Sequence, residues 1–143
     1  MNAVGQPAQP DGLLRLDGVG KRYGTQIALA EISLTVERHH FLVLLGPSGS
    51  GKTTMLRSIA GIERITSGTI SLDGQVVDDG RRLVAPDRRD LAMVFQDYAL
   101  WPHMTARQNV AYALRRRRLA AADVERRTRD MLARVGLGAL GER

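Results

Sequence analysis

Residues 44–61, LLGPSGSGKTTMLRSIAG, contain the most informative pattern of this chain. Gly46, Gly51, Lys52 and Thr53 occupy every fixed position of the phosphate-loop pattern G-x-x-x-x-G-K-[ST]. An apolar run leads into the pattern and a helix-forming run leads out of it, which is the context that a phosphate loop requires. The stretch therefore predicts a strand, a loop that binds nucleotide phosphates, and a helix.

The chemistry of such a loop follows from backbone geometry. The first turn of a helix has N–H groups with no partner inside the helix, and the helix dipole adds positive charge there. Glycines let the preceding loop curve so that further N–H groups point inward. Lys52 is expected to contact the β- and γ-phosphates, and the hydroxyl of Thr53 to ligate Mg²⁺. The predicted phosphate-binding residues are Gly46, Pro47, Ser48, Gly49, Ser50, Gly51, Lys52, Thr53 and Thr54.

Composition limits the class of protein. The 143 residues suffice for one modest domain, and the lack of cysteine excludes a disulfide framework and a cysteine-based metal site. The net charge of +6 suits nucleic acid, an anionic membrane or polyphosphate, without choosing among them. The longest strongly apolar run, residues 41–45, is far shorter than the roughly 20 residues of a membrane span. Residues 1–12 do not have the pattern of a secretory signal, and their Pro, Gly, Gln and Ala content predicts a disordered tail.

Apolar runs between turn residues predict the strands. Residues 13–19 alternate weakly and predict an edge strand, whereas residues 31–37 alternate clearly. The continuous apolar runs at 41–45 and 91–95 are typical of strands buried on both faces. KRYG, residues 21–24, predicts a turn after the first strand.

Helix signals follow the phosphate loop and fill the last third of the chain. Residues 52–60 predict a helix that ends at Gly61. Between the helices, Asp73-Gly74 predicts a two-residue β-hairpin turn. Thr105 is a predicted helix cap. Asp123 is predicted to begin a further helix, which stops at Gly136. One apolar face of that helix is predicted to contain Val124, Thr128, Met131, Leu132 and Val135.

Kinases and GTPases also carry phosphate loops, and two further stretches narrow the choice. They are VGKRYGTQIALAEISLTV at residues 19–36 and LAMVFQDYALWPHMTARQNVAYAL at residues 91–114. Together with residues 44–74 they resemble the ATP-binding-cassette (ABC) family, above all the importer ATPases that serve sugars, polyamines, ferric iron, sulfate or thiamine. The resemblance implies an α/β P-loop NTPase of the ABC type, with ATP and Mg²⁺ as ligands. It implies an antiparallel β subdomain and P-loop core at 13–96, the start of a helical subdomain at 97–143, and an incomplete core.

The resemblance assigns two more site residues. Tyr23 matches the aromatic residue that stacks on adenine; without the family context, a half-buried tyrosine at the end of a strand is the simpler interpretation. Gln96 matches the Q-loop glutamine, which ligates Mg²⁺ or orients the attacking water. Lys52 and Gln96 are therefore the predicted catalytic residues, and Thr53 and Gln96 the predicted metal ligands.

Residues 97–105 match the segment that faces the transmembrane permease. Tyr98, Leu100, Trp101 and Met104 could form an apolar groove for a short permease helix, or they could simply pack the helical subdomain. The resemblance also implies a second ATPase subunit in a homodimer, an indirect solute-binding protein, and a cytoplasmic location at the inner face of the membrane. Nucleic acid is not an expected partner, because no reading helix or aromatic platform accompanies the run Arg115–Arg118.

One position departs from the family pattern. Family members usually carry Gly-Glu before the strand that enters the phosphate loop, and here His39 and His40 stand instead. The lost glycine bears on the tight turn at this point, although histidine adopts positive φ more readily than most residues.

The sequence contains no LSGGQ-type signature, no apolar strand that ends in Asp-Glu, and no switch histidine after those motifs. Intact family members use these elements for hydrolysis. The leading hypothesis is therefore an ABC importer ATPase subunit represented by its N-terminal part, which alone binds ATP but does not hydrolyse it. A truncated or regulatory ATP-binding module is the alternative. FQDYALWPHMT, residues 95–105, argues against a different P-loop enzyme such as a small-molecule kinase.

Overall fold

The computed structural model describes residues 12–143, which fall into two compact units. The first unit ends at Met93 and the second covers Val94–Arg143. The first contains β1 (Gly12–Tyr23), β2 (Gln26–Glu37), α1 (Lys52–Ala60), β3 (Ser67–Leu72), β4 (Gln75–Asp78) and a 3-10 turn at Pro86–Arg88. The second contains α2 (Ala106–Arg116), α3 (Ala121–Arg134) and a 3-10 turn at Gly138–Leu140. The predicted disordered tail lies outside the described residues, except for Gly12, which begins β1.

The sheet is antiparallel, with the strand order β2-β1-β3-β4. β1 lies inside it, because Leu14 pairs with Val36 on one side and with Leu72 on the other. The predicted edge position of this strand is therefore wrong, since β3 arrives from distant sequence to cover its free side. β1 also continues to Tyr23, and the turn that was predicted at residues 21–24 lies at residues 24–25.

Apolar residues of the sheet and of α1 form the core of the first unit. The buried cluster consists of Leu16, Val19, Leu29, Met55, Ile65, Ile70 and Val77. Met55 carries α1 into this cluster, so the helix that follows the phosphate loop is anchored to the sheet. Burial of each such side chain contributes about 1.5–3 kcal/mol.

A buried arginine fastens the end of α1 to the segments around it. Arg89 is only 5% exposed, and its guanidinium donates to the carbonyl oxygens of Ser58, Ile59, Val77 and Val84 at 2.6–3.2 Å. Burial lowers the pKa of Arg89 from its ordinary value, and the negative charge of Asp78 partly offsets that shift. Asp78 is itself fully buried and accepts from the N–H groups of Ile65 and Gly80. The last turn of α1 is thereby linked to β4 and to the segment that follows it.

Two local predictions in this unit are confirmed. α1 spans Lys52–Ala60, and Gly61 ends it at φ 79° with its N–H bonded to the last carbonyls of the helix. Asp73 and Gly74 connect β3 to β4 with φ values of 48° and 75°. Positive φ at both central residues is the signature of a type I′ hairpin turn.

The strands predicted at residues 41–45 and 91–95 are not formed. Within residues 12–143 neither run pairs with a strand, and Phe41 is 99% exposed, Leu45 89% and Val94 85%. An apolar run becomes a strand only when a neighbour takes its N–H and C=O groups. The described part of the chain provides no such neighbour, so these predictions are wrong for this structure.

The second unit is a pair of helices closed by the last residues of the chain. The predicted cap at Thr105 is confirmed as a full capping box with Gln108. α3 begins at Ala121, two residues before the predicted start, and Gly136 follows its end at φ 75°. Of the predicted apolar face, Val124, Thr128 and Leu132 are buried, whereas Met131 and Val135 are exposed. None of the helices formed by residues 12–143 combines the length and apolarity of a membrane span.

Candidate nucleotide-binding site

The predicted phosphate loop curves tightly into α1. Gly49 and Gly51 have φ values of 82° and 90°, a region that side chains rarely adopt. A Cβ atom on Gly51 would lie 2.5 Å from the carbonyl oxygen of Ala28, so only glycine fits between the loop and β2. The N–H of Ser50 donates back to the carbonyl oxygen of Pro47 at 3.3 Å. These features fix the curve of the loop against the edge of the sheet.

The side chain of Lys52 folds back over this loop. Its Nζ donates to the carbonyl oxygens of Gly46 at 2.8 Å and Pro47 at 2.7 Å, and to Oγ of Ser50 at 3.1 Å. The ammonium is thus hydrogen-bonded to three oxygen atoms of residues 46–50. A positive charge held at this point can attract phosphate oxygens in the same way.

The first turn of α1 offers donors beside that ammonium. Gly51 caps the helix without a side-chain hydrogen bond, and the first turn contains no acidic residue. No hydrogen bond within residues 12–143 engages the backbone N–H groups of residues 52–54. Thr53, which is exposed, and Thr54, which is half-buried, belong to the same turn. Free N–H groups at the start of a helix and an adjacent ammonium fit an anion such as phosphate.

Tyr23 lies at the end of β1 in the same unit. Its side chain is 46% exposed, and Nζ of Lys21 lies 4.7 Å from the centre of its ring. β2 connects this strand end to the phosphate loop, because Lys21 pairs with Leu29 next to the carbonyl that approaches Gly51. β2 therefore connects the predicted base-stacking residue to the predicted phosphate loop within the first unit.

Gln96 belongs to the second unit. It is exposed and opens a turn at residues 96–99, in which Tyr98 and Ala99 have positive φ values of 59° and 48°. The N–H of Tyr98 donates to the carbonyl oxygen of Phe95 at 3.1 Å. Non-glycine residues at positive φ cost free energy, and such strain is typical of segments under a functional constraint.

The predicted permease-facing segment is held by one side chain that the sequence did not indicate. Oδ1 of Asn109 accepts from the N–H of Trp101 at 2.9 Å. Its Nδ2 lies 3.1–3.2 Å from the carbonyl oxygens of Trp101, Met104 and Thr105. The indole of Trp101 also packs against the rings of His103 and Tyr112, at centroid distances of 6.0 and 5.9 Å. The loop is therefore ordered, although Tyr98 and Leu100 within it are largely exposed.

His39, which replaces the usual glycine, adopts positive φ. Its φ is 65°, and the N–H of His40 donates to the carbonyl oxygen of Glu37 at 3.3 Å. The tight turn between β2 and the apolar run is retained.

A family model described as ABC transporter matches residues 29–143. The chain belongs to the ABC transporter family. That match covers the phosphate loop, Gln96 and the 97–105 segment, while Tyr23 lies just before it. The resemblance inferred from the three sequence stretches is thus confirmed.

Curated relatives of this ABC-family chain are import ATP-binding proteins. It is 52% identical over 113 residues to the sn-glycerol-3-phosphate import ATP-binding protein UgpC of Brucella abortus, which covers 78% of this chain and 31% of that protein. It is 43% identical over 136 residues to the spermidine/putrescine import ATP-binding protein PotA of Oleidesulfovibrio alaskensis, with 95% and 35% covered. The chain spans about a third of the length of these relatives.

Solved structures confirm the fold class. The cbiO1 protein of Clostridium perfringens, part of the ABC transporter complex cbiONQ, superposes with a TM-score of 0.74 at 26% identity. The superposition covers 93% of this chain and 54% of that one. A dimeric ATP-binding cassette bound to ADP and Pi gives a TM-score of 0.75 at 26% identity, over 90% of this ABC-family chain and 60% of the other. The predicted α/β P-loop fold of the ABC type is confirmed.

Proposed function

We propose that this chain is the ATP-binding subunit of an ABC import system, in which ATP binding and hydrolysis by the whole protein drive solute transport. The observation that carries the proposal is the geometry of the phosphate loop. Lys52 reaches back over the loop, and the amides at the start of α1 have no other partner within residues 12–143. The family match and the import ATP-binding relatives support it.

In this proposal the site residues divide the tasks of phosphate, Mg²⁺ and base binding. The N–H groups of residues 46–54 and the ammonium of Lys52 bind the phosphates, and Thr54 adds a hydroxyl on the α-phosphate side. Thr53 and Gln96 hold Mg²⁺, which neutralises charge on the terminal phosphates when bound. Tyr23 stacks on the adenine ring. Gln96 also orients the attacking water in the intact protein.

The proposed partners follow from the same family. Residues 97–105 dock on a permease subunit, a second ATPase subunit completes the homodimer, and a solute-binding protein acts indirectly. The exposed side chains of Tyr98, Leu100 and Trp101 support the docking role, because they give the ordered loop an apolar outer surface. These partners place the protein on the cytoplasmic, inner face of the membrane.

Calorimetry of the purified chain tests the proposal directly. We expect Mg–ATP to bind with a stoichiometry of one, and we expect no steady release of phosphate, because the hydrolytic motifs are not in the sequence. A folded sample with no affinity for Mg–ATP would overturn the proposal. Turnover that Lys52→Ala abolishes would show that the chain hydrolyses ATP without those motifs.

A regulatory module that binds ATP without turnover is the second candidate. The DNA downstream of the coding region separates the two. An LSGGQ codon run in any frame supports the importer subunit, whereas its absence supports the regulatory module.

The role of Asn109 in the 97–105 segment gives a prediction of its own. Asn109→Ala is expected to loosen the loop at a cost of about 1–2 kcal/mol, since backbone groups of Trp101 and Met104 lose their partner. Trp101 is the only tryptophan in the chain, so its fluorescence anisotropy and its quenching by acrylamide report on the loop alone.

The controls for that prediction distinguish the contribution of Oδ1 of Asn109 from that of its Nδ2. Asn109→Asp keeps an oxygen for the N–H of Trp101 but removes the three donations from Nδ2, so quenching should be intermediate. Arg115→Ala, an exposed change on the same helix, should leave the fluorescence unaltered. Equal quenching in wild type and Asn109→Ala would show that the loop holds its shape without this side chain.

A further inference from the structure

Lys21 has three partners at the end of β1, although it is not part of any recognised nucleotide-binding pattern. Its Nζ donates to the carbonyl oxygen of Arg64 at 2.8 Å and lies 3.2 Å from Oε2 of Glu63. The same atom lies 4.7 Å from the ring centre of Tyr23. The Lys21 side chain is only 13% exposed, so these contacts fix its position.

The contact with Tyr23 follows from the strand itself. Residues two apart on a β-strand share a face, and Lys21 and Tyr23 are two apart on β1. A cation over one face of an aromatic ring is attracted to its π electrons. The residue Tyr23 is 46% exposed, and no other aromatic ring of the described residues packs against it. One face is thus held by the ammonium while surface remains for a ligand.

The other two contacts join this ring to α1. The N–H of Glu63 donates to the carbonyl oxygen of Arg57 at 3.2 Å, so the 63–64 segment is bonded to the last turn of the helix. α1 begins at the phosphate loop. Through Lys21, the aromatic ring and the phosphate-binding helix are therefore held at a fixed separation.

We propose that Lys21 is a positioning residue for nucleotide recognition, which holds the Tyr23 ring so that its free face stacks on the adenine of ATP. The proposal rests on the proposed function, because it takes Tyr23 as the base-stacking residue. The ion pair with Glu63 neutralises the ammonium locally. Lys21 therefore acts on the base through Tyr23, rather than on the phosphates through its charge.

The test compares two ligands that differ only in the base and sugar. Calorimetry measures the affinity of the full chain for Mg–ATP and for magnesium-bound inorganic triphosphate. Lys21→Met is expected to weaken ATP binding about three- to tenfold, since it removes the cation from the ring. Its effect on triphosphate binding should stay below about twofold, because the phosphate loop is unchanged. Lys21→Arg should restore ATP binding, because a guanidinium also stacks on a ring.

A matched control removes the same charge from the neighbouring position. Arg22 is exposed and follows Lys21 directly on β1, so Arg22→Met should leave both affinities within about twofold of wild type. Equal weakening of ATP and triphosphate in Lys21→Met would overturn the proposal, because it would mean a general effect of charge or folding. Unchanged affinity for both ligands would overturn it as well.

A second readout keeps this inference distinct from the proposed function. Ring motion of Tyr23, followed by NMR of its aromatic protons without nucleotide, should increase in Lys21→Met and not in Arg22→Met. An unchanged ring would overturn the positioning role even if ATP binds. A wild-type chain that binds neither ATP nor triphosphate would instead overturn the proposed function.

Discussion

Replacement of Lys52 by alanine is expected to weaken Mg–ATP binding roughly 10- to 150-fold, the equivalent of about 1.5–3 kcal/mol for a lost charge-assisted hydrogen bond. The ammonium already lies over the loop, 2.7–3.1 Å from three of its oxygen atoms. Phosphate oxygens would take the place of some of these partners at little cost, because the lysine needs no large rearrangement to reach them. Isothermal titration with Mg–ATP measures the loss.

Lys52→Ala also removes the contacts that hold Gly46 and Pro47. The loss of affinity caused by a changed loop conformation must therefore be distinguished from the loss caused by the missing charge. Lys52→Gln keeps a donor without the charge and should recover only part of the affinity. Arg57→Ala removes an exposed basic side chain from the same helix and should leave ATP binding within about twofold of wild type. If Lys52→Ala binds ATP as tightly as Arg57→Ala does, the phosphate loop is not the nucleotide site.

The parts of the fold that sequence predicted correctly are those fixed by a few neighbouring residues. The turn at Asp73-Gly74 needs two residues at positive φ, and the chain supplies two that tolerate it. The capping box at Thr105 satisfies two N–H groups with two side chains three residues apart. Such features do not depend on distant parts of the chain, so local rules were sufficient.

The predictions that failed depended on distant residues. The composition of residues 41–45 expresses a preference for burial, but it does not supply the neighbouring strand that a sheet requires. β1 was predicted at an edge because its alternation is weak, yet β3 covers it from more than forty residues away. In both cases the sequence did not show which segment lies alongside the strand, because hydrophobic periodicity does not identify the neighbouring strand.

The residues of the candidate site also fall into those that local sequence predicts and those that it does not. Residues 46–54 were predictable because their spacing alone specifies a curved loop before a helix, whereas the role proposed for Tyr23 required the family resemblance. Lys21 and Asn109 were missed, since an isolated lysine on a strand and an asparagine in the first turns of a helix are common. Only the three-dimensional contacts show what they hold.

Arg89 should contribute more to stability than any other arginine for which the structure shows contacts. Arg89→Met is expected to lower the free energy of unfolding by about 3 kcal/mol, because the carbonyls at the end of α1 lose their donor and the carboxylate of Asp78 loses a nearby positive charge. For a chain of this size the midpoint of thermal unfolding should fall by roughly 10 °C. Circular dichroism during urea and thermal unfolding measures both quantities.

Arg88 offers a matched comparison, since it precedes Arg89 directly and is exposed. Arg88→Met should change the unfolding free energy by less than about 0.5 kcal/mol, as is usual for surface positions. Arg89→Lys should fall between wild type and Arg89→Met, because one ammonium cannot reach all four carbonyl oxygens that the guanidinium spans. Equal stability of the two methionine variants would mean that α1 is held by the apolar core alone. The phosphate loop, which leads into that helix, would then be positioned by Met55 and its neighbours rather than by the buried arginine.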